Sequence, residues 1–348
     1  MKERRKDFLT HLSGIHRGDV HEVQRNEVFE NVFELYRNNP QVISEYPFRA
    51  KFLDEKALDI GGVSRDMFSA FWVDAYICAF DGCNSLVPQA HPHVELGMFP
   101  VLGTILSHGF LVTGMLPVRI AFPCLAAVVL GPMVSIPDST FIASLANYVS
   151  PYECSILKRA FSITVGSFPN DLCEDLLSLL SRLGCREIPS PQNLRRLVVE
   201  VAKHEFIAKP LRVLYVMNSG VLAPHIDFWK GFSVDELYDF YKELTATPVN
   251  VIRMIKEPNT TNNAQENAFS YLIRMIGSMK QDELCNFLCF VTGSCVPVDE
   301  RIVITFNSLS SFSRRPIAHT CGFRLELPST YLTYHEFEEE FKAVLNSE

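Results

Sequence analysis

Residues 313–328 read Ser-Arg-Arg-Pro-Ile-Ala-His-Thr-Cys-Gly-Phe-Arg-Leu-Glu-Leu-Pro, and this stretch decides how the carboxy-terminal end folds. Phe323, Leu325 and Leu327 alternate with Arg324 and Glu326, the period of two expected of a short strand with one buried face, and Pro328 ends the alternation. Just downstream, Thr333-Tyr334-His335-Glu336 has the spacing of a capping box, and Phe337, Phe341, Val344 and Leu345 follow at helical intervals. A strand and a helix therefore flank a loop over residues 313–322, and its cysteine, Cys321, sits immediately before the strand. Next to the flexible Gly322, Cys321 is placed to be accessible and is a nucleophile candidate, unlike Cys124 or Cys289 within apolar runs. If Ala318 to Cys321 is extended, His319 and Cys321 share a face, so that His319, with Arg314 and Arg315, is placed to tune the thiol. Modest activation suffices for thioester exchange, where the electrophile is already reactive. Peptide hydrolysis needs in addition a positioned base, an orienting partner and an oxyanion hole. Only His335 lies beyond Cys321, which argues against a cysteine protease or deubiquitinase.

Working upstream, Ile302-Val303-Ile304-Thr305-Phe306 is rich in β-formers. Leu284, Phe287, Leu288 and Val291 line a helix ending at Thr292-Gly293, and Phe269, Leu272, Ile273 and Ile276 line the helix before it. Glu257-Pro258-Asn259-Thr260-Thr261-Asn262-Asn263 has no large apolar residue to bury and reads as a linker. Residues 134–248 are mostly helical in pattern; Leu172, Leu176, Leu179, Leu180 and Leu183, for example, lie on one face and stop at Gly184. Near the front, Val28, Val32, Phe33 and Tyr36 suggest a helix, and residues 48–52 a half-exposed strand. Asp59-Ile60-Gly61-Gly62 reads as a turn, and Ser64 as the cap of a helix that buries Met67, Phe68, Phe71, Trp72 and Ala75. No lysine follows the glycine pair in Walker spacing, so it reads as a tight turn rather than an anion cradle. Residues 1–20 show weak periodicity and read as a lead-in arm.

With 348 residues and 47% hydrophobic content, the chain can bury a sizeable core. A net charge of -8 leaves no basic footprint for a nucleic acid. No apolar stretch follows the charged amino terminus, so no secretory signal is read there, and the ten cysteines are expected to be reduced thiols. None of them forms a Cys-x-x-Cys pair, and His91-Pro92-His93 reads as a stiff loop, so no metal site is assigned. Leu96 to Val118 carries no Asp, Glu, Lys or Arg, yet glycines and prolines interrupt it. It reads as a core helix with buried turns, not a membrane span.

Three segments in order resemble a HECT-type ubiquitin ligase domain of divergent sequence. Pro316-Ile317-Ala318-His319-Thr320-Cys321 with Leu325-Glu326-Leu327-Pro328 is similar to that family's active-site run. Phe287-Leu288-Cys289-Phe290-Val291-Thr292-Gly293-Ser294 resembles a second segment of the same lobe. Asp59-Ile60-Gly61-Gly62-Val63-Ser64-Arg65-Asp66 resembles the turn that opens the larger lobe. The resemblance implies an α+β, bilobal fold: an arm over 1–20, a large, mostly helical N-lobe over 21–257 that docks a ubiquitin-conjugating enzyme, a hinge at 258–263, and a small α/β C-lobe over 264–348. It further implies that Cys321 accepts ubiquitin as a thioester and passes it to a substrate lysine; Thr320 belongs to the loop, and His319 is read from its position as tuning the thiol or shaping the loop. Ubiquitin, a conjugating enzyme and protein substrates are the implied partners, with no metal or organic cofactor, no nucleic acid and no membrane, in the cytoplasm and/or nucleus. The alternative is a catalytically weak or inactive HECT-like scaffold that binds ubiquitin or partner proteins.

Overall fold

The computed structural model describes residues 1–12, 19–53, 62–91 and 93–346, and its fold is mixed α+β, mainly helical with small sheets. Residues 2–12, read as a lead-in arm, form a helix, α1 (Lys2–Leu12). It is fixed by Arg5, which donates to the carbonyls of Leu111 and Val112 at 2.8 Å each, and by the ring of Phe8, 5.2 Å from that of Phe228. β1 (Val20–Val23) pairs in parallel with β2 (Arg49–Phe52). Between them lies α2 (Val28–Asn38), which buries Val28, Val32 and Tyr36 one turn apart. The expected turn at residues 59–61 lies outside the described residues. α3 (Gly62–Ala79) begins at Gly62, so Ser64 sits inside the first turn, where it is buried, and not ahead of the helix as a cap.

After the hairpin of β3 (Phe80–Gly82) and β4 (Leu86–Pro88), most of the uncharged run becomes α4 (Met98–Thr113), which Gly114 ends in the left-handed conformation. α5 (Phe122–Leu130) is buried along nearly its whole length. α6 (Asp138–Tyr148), α7 (Pro151–Phe161), α8 (Asn170–Arg182) and α9 (Leu194–Lys203) follow, and α10 (Leu211–Trp229) packs along α4. Two glycines allow that approach: a Cβ on Gly103 or Gly220 would collide with the main chain of the facing helix. Among the described residues no helix is long and apolar enough to cross a membrane.

α11 (Val234–Leu244) closes this first core, its start capped reciprocally by Ser233 and Glu236. A second core gathers α12 (Pro248–Met254), β5 (Ile255–Lys256), α13 (Asn263–Ser278), α14 (Gln281–Thr292), β6 (Ile302–Asn307), β7 (Ile317–His319), β8 (Arg324–Pro328) and α15 (Tyr334–Leu345). Its sheet has the order β5-β6-β8-β7, with β7 antiparallel to β8 and the other pairs parallel. Phe287, Leu288, Leu325, Phe337 and Phe341 fill its centre. Ala246, Val251, Met254 and Ile255 also belong to it, so both flanks of the polar stretch 257–262 pack into the same core.

One thiol expectation changes. Gly293, left-handed at the end of α14, reverses the chain, bringing Cys295 back to 4.8 Å from Cys289 between Cα atoms, and the two are joined as a disulfide. The eight other cysteines are free.

Candidate functional site

β7 and β8 form a hairpin in which His319 faces Arg324, Ala318 faces Leu325 and Ile317 faces Glu326. The connection is Thr320-Cys321-Gly322 in a 3-10 turn, then Phe323 in the left-handed conformation at φ 47° and ψ 42°, the general form of a hairpin loop built on a tight turn. Cys321 is therefore at the tip and is exposed. Neither exposure nor a hairpin tip distinguishes it, since Cys78 and Cys83 are exposed as well and Cys83 lies in the connection between β3 and β4; the contact of its turn with the start of α3 does. Less exposed thiols are of another kind: desolvation pushes the half-buried Cys285 thiol up to about 11 and the buried Cys124 thiol well above its usual value.

The extended run that would have put His319 and Cys321 on one face ends at His319. The His319 ring lies 2.9 Å from Glu326 Oε1, and Arg324 reaches the same oxygen at 3.2 Å. Thr320, part-buried, opens the turn and its carbonyl accepts from the Phe323 amide. Arg314 is committed elsewhere. Its guanidinium donates to Glu340, at 2.6 and 3.0 Å, to Glu336, and to the Thr330 carbonyl at 3.2 Å, lying over the Tyr331 ring at 4.6 Å. Its hydrogen bonds to Glu340 and Glu336 push it above its ordinary value despite desolvation. Arg314 thus ties the loop base to α15.

Residues the sequence left in structural roles also meet the cysteine. A Cβ built on Gly62 would stand 2.8 Å from Cys321 Sγ and 3.4 Å from its Cα and N, so the turn rests on the first residue of α3. Only glycine accommodates that approach unchanged. The start of α3 is held by Asp66, paired with Arg25 at 2.6 Å, while Arg25 covers the Phe52 ring of β2 at 4.0 Å. Arg65, buried at 8% exposure, places its guanidinium 4.4 Å from the centre of the Phe323 ring and donates from Nε to the Thr292 carbonyl at 3.3 Å. One turn on, Ser69 Oγ donates to the Gly293 carbonyl and accepts from the Cys295 amide, both at 3.3 Å. The glycine pair was the sequence signal for this contact; nothing in the sequence joins residue 65 to residue 323.

Among the described residues, no three His, Cys, Asp or Glu side chains gather as a metal site would need. A search of the curated proteins found no match. Residues 226–348 match the HECT-domain (ubiquitin-transferase) family, a stretch that takes in α11, the second core and the Cys321 hairpin. Over residues 226–348, about a third of the chain, the sequence is thus similar to a HECT domain.

Proposed function

We propose that this chain is a ubiquitin-protein transferase that carries ubiquitin on Cys321. The Cys321 thiolate attacks the carbonyl carbon of the thioester joining ubiquitin to a conjugating enzyme, and the conjugating enzyme's sulfur leaves as its thiolate. A substrate lysine amine then attacks the Cys321 thioester, gives up its proton, and expels the Cys321 sulfur, leaving an amide. The activated bond arrives with ubiquitin, so the reaction asks for no further cofactor. The observation that carries this reading is the exposed position of Cys321 at a hairpin tip inside the segment that matches the family. In this reading Thr320 shapes the turn, and His319, whose ring meets Glu326 at the end of β7, is the imidazole nearest in sequence to tune the thiol.

In this reading the first core docks the conjugating enzyme, and the second, α/β unit moves to bring Cys321 to each partner in turn. The sequence puts the joint at 258–263. The packing of Ala246 to Ile255 within the second core supports a joint further upstream, at Thr245, between Leu244 of the first core and Ala246 of the second.

The test mixes the protein with charged conjugating enzymes. An adduct with ubiquitin that thiol reductant removes and that Cys321→Ser lacks is the expected result, and His319→Ala should slow its formation without lowering the melting temperature. If no adduct forms across a broad panel of conjugating enzymes, the domain is a binding scaffold.

A further inference from the structure

The Cys321 turn holds a conformation that its own sequence disfavours. Phe323 is left-handed at φ 47°, a region that costs an L-residue with a side chain roughly 1–2 kcal/mol, while the adjacent Gly322 has no positive φ. Left to itself, the turn would let the glycine take the left-handed position. A non-local contact opposes that: the Phe323 ring is buried, at 8% exposure, beneath the Arg65 guanidinium. Arg65 also donates to Thr292, the last residue of α14, where a cation suits the negative end of the helix dipole. One side chain of the first core thus grips both the cysteine turn and the helix beneath it.

We propose that Arg65, acting through Phe323, is a positioning residue that latches the Cys321 turn onto the start of α3 and fixes the direction of the thioester for amine attack. This rests on the reading of Cys321 as the ubiquitin carrier. Attack by an amine depends on the acyl carbon being held in one orientation, whereas loading requires the turn to reach a second protein and gains nothing from the latch. Lysine is a poor replacement, because it lacks the flat, stacking guanidinium.

Two measurements on the whole chain test this, with Arg65→Ala, Arg65→Lys, Phe323→Leu and the Arg65→Ala/Phe323→Leu double variant. The first needs no ubiquitin: alkylation of Cys321 by iodoacetamide, followed by mass spectrometry. It should rise about threefold or more in Arg65→Ala and in Phe323→Leu, because Sγ leaves Gly62, and no further in the double variant, as for two members of one contact. The second isolates the Cys321 thioester and follows its discharge onto free lysine. Discharge should fall about tenfold in each single variant with loading changed less than twofold, and Arg65→Lys should recover part of the loss. Unchanged alkylation overturns the latch, as do additive losses or equal losses of loading and discharge. Should Arg65→Ala fail to fold, Phe323→Leu and Arg65→Lys decide alone. A wild-type protein that never loads overturns the Cys321 reading instead, and alkylation still decides the latch.

Discussion

Gly62 shows what one missing carbon does. As the first residue of an eighteen-residue helix, it is a position where alanine is intrinsically favoured, by up to about 1 kcal/mol in a helix interior. Its hydrogen, however, faces Cys321 Sγ, and an added Cβ would stand 2.8 Å from the sulfur. The cheapest relief is for the cysteine turn to lift away from α3. Gly62→Ala is therefore expected to leave the melting temperature level or slightly raised while transfer from Cys321 slows severalfold. Thermal unfolding and single-turnover discharge, run on the same preparation, check this; parallel losses in both would mean that Gly62 serves folding alone. The sequence displayed the glycine pair but not its purpose, because the reason for Gly62 lies about 260 residues away in the chain. The strand that follows Cys321 was legible, since the alternation that marks it is local.

At the scale of elements, α15 was read well, and its attachment was not. Thr333 Oγ1 accepts from the Glu336 amide at 3.2 Å, as the capping spacing predicts. The Glu336 carboxylate, expected to complete the box, accepts instead from the Leu332 amide at 3.0 Å and from Arg314. Hydrogen bonding to Arg314 is the main reason that Glu336 stays below its ordinary carboxylate value. A lowered carboxylate contributes stability above its unfolded value, near 4.5, and loses it as pH falls through the lowered one. Arg314→Met should therefore remove about 1–2 kcal/mol at neutral pH, since the glutamates are partly solvent-screened, and should leave a smaller loss in acid. Urea titrations at pH 7 and pH 3 separate the two; an equal loss at both would mean that Arg314 acts through packing on Tyr331 rather than through charge. Helices were readable because their periods are local, whereas the ion pairs that dock them join residues whose separation no period records.

Across the whole molecule, a buried polar network ties distant segments of the first core. Tyr36 OH meets His108 Nδ1 at 2.6 Å, Tyr46 OH meets His225 Nε2 at 3.0 Å, and Ser107 Oγ meets His225 Nδ1 at 3.0 Å while accepting from Trp229 Nε1 at 2.7 Å. The network links α2, the loop before β2, α4 and α10. Nothing in the uncharged run around His108 marks its partners, which are set by tertiary folding. Desolvation, with the neighbouring His225 adding to it, holds His108 down at about 3, and burial holds His225 at about 4, against an ordinary 6.5. Both rings are thus neutral in the fold, while the unfolded chain takes up their protons below about 6.5. Between roughly pH 4 and 6.5 the unfolded state binds more protons, so stability rises with pH there and these two groups add nothing further above it. Each contributes a slope of up to about 1.4 kcal/mol per pH unit, well before the carboxylates begin to protonate. Unfolding free energies measured at pH 5, 6 and 7 should therefore climb, and His225→Gln, which keeps hydrogen-bonding capacity without a titrating ring, should remove close to half of the climb even where it lowers stability overall. A wild-type protein whose stability is level from pH 5 to 7 would show that the two rings are not held neutral by burial, and that the network is open to water.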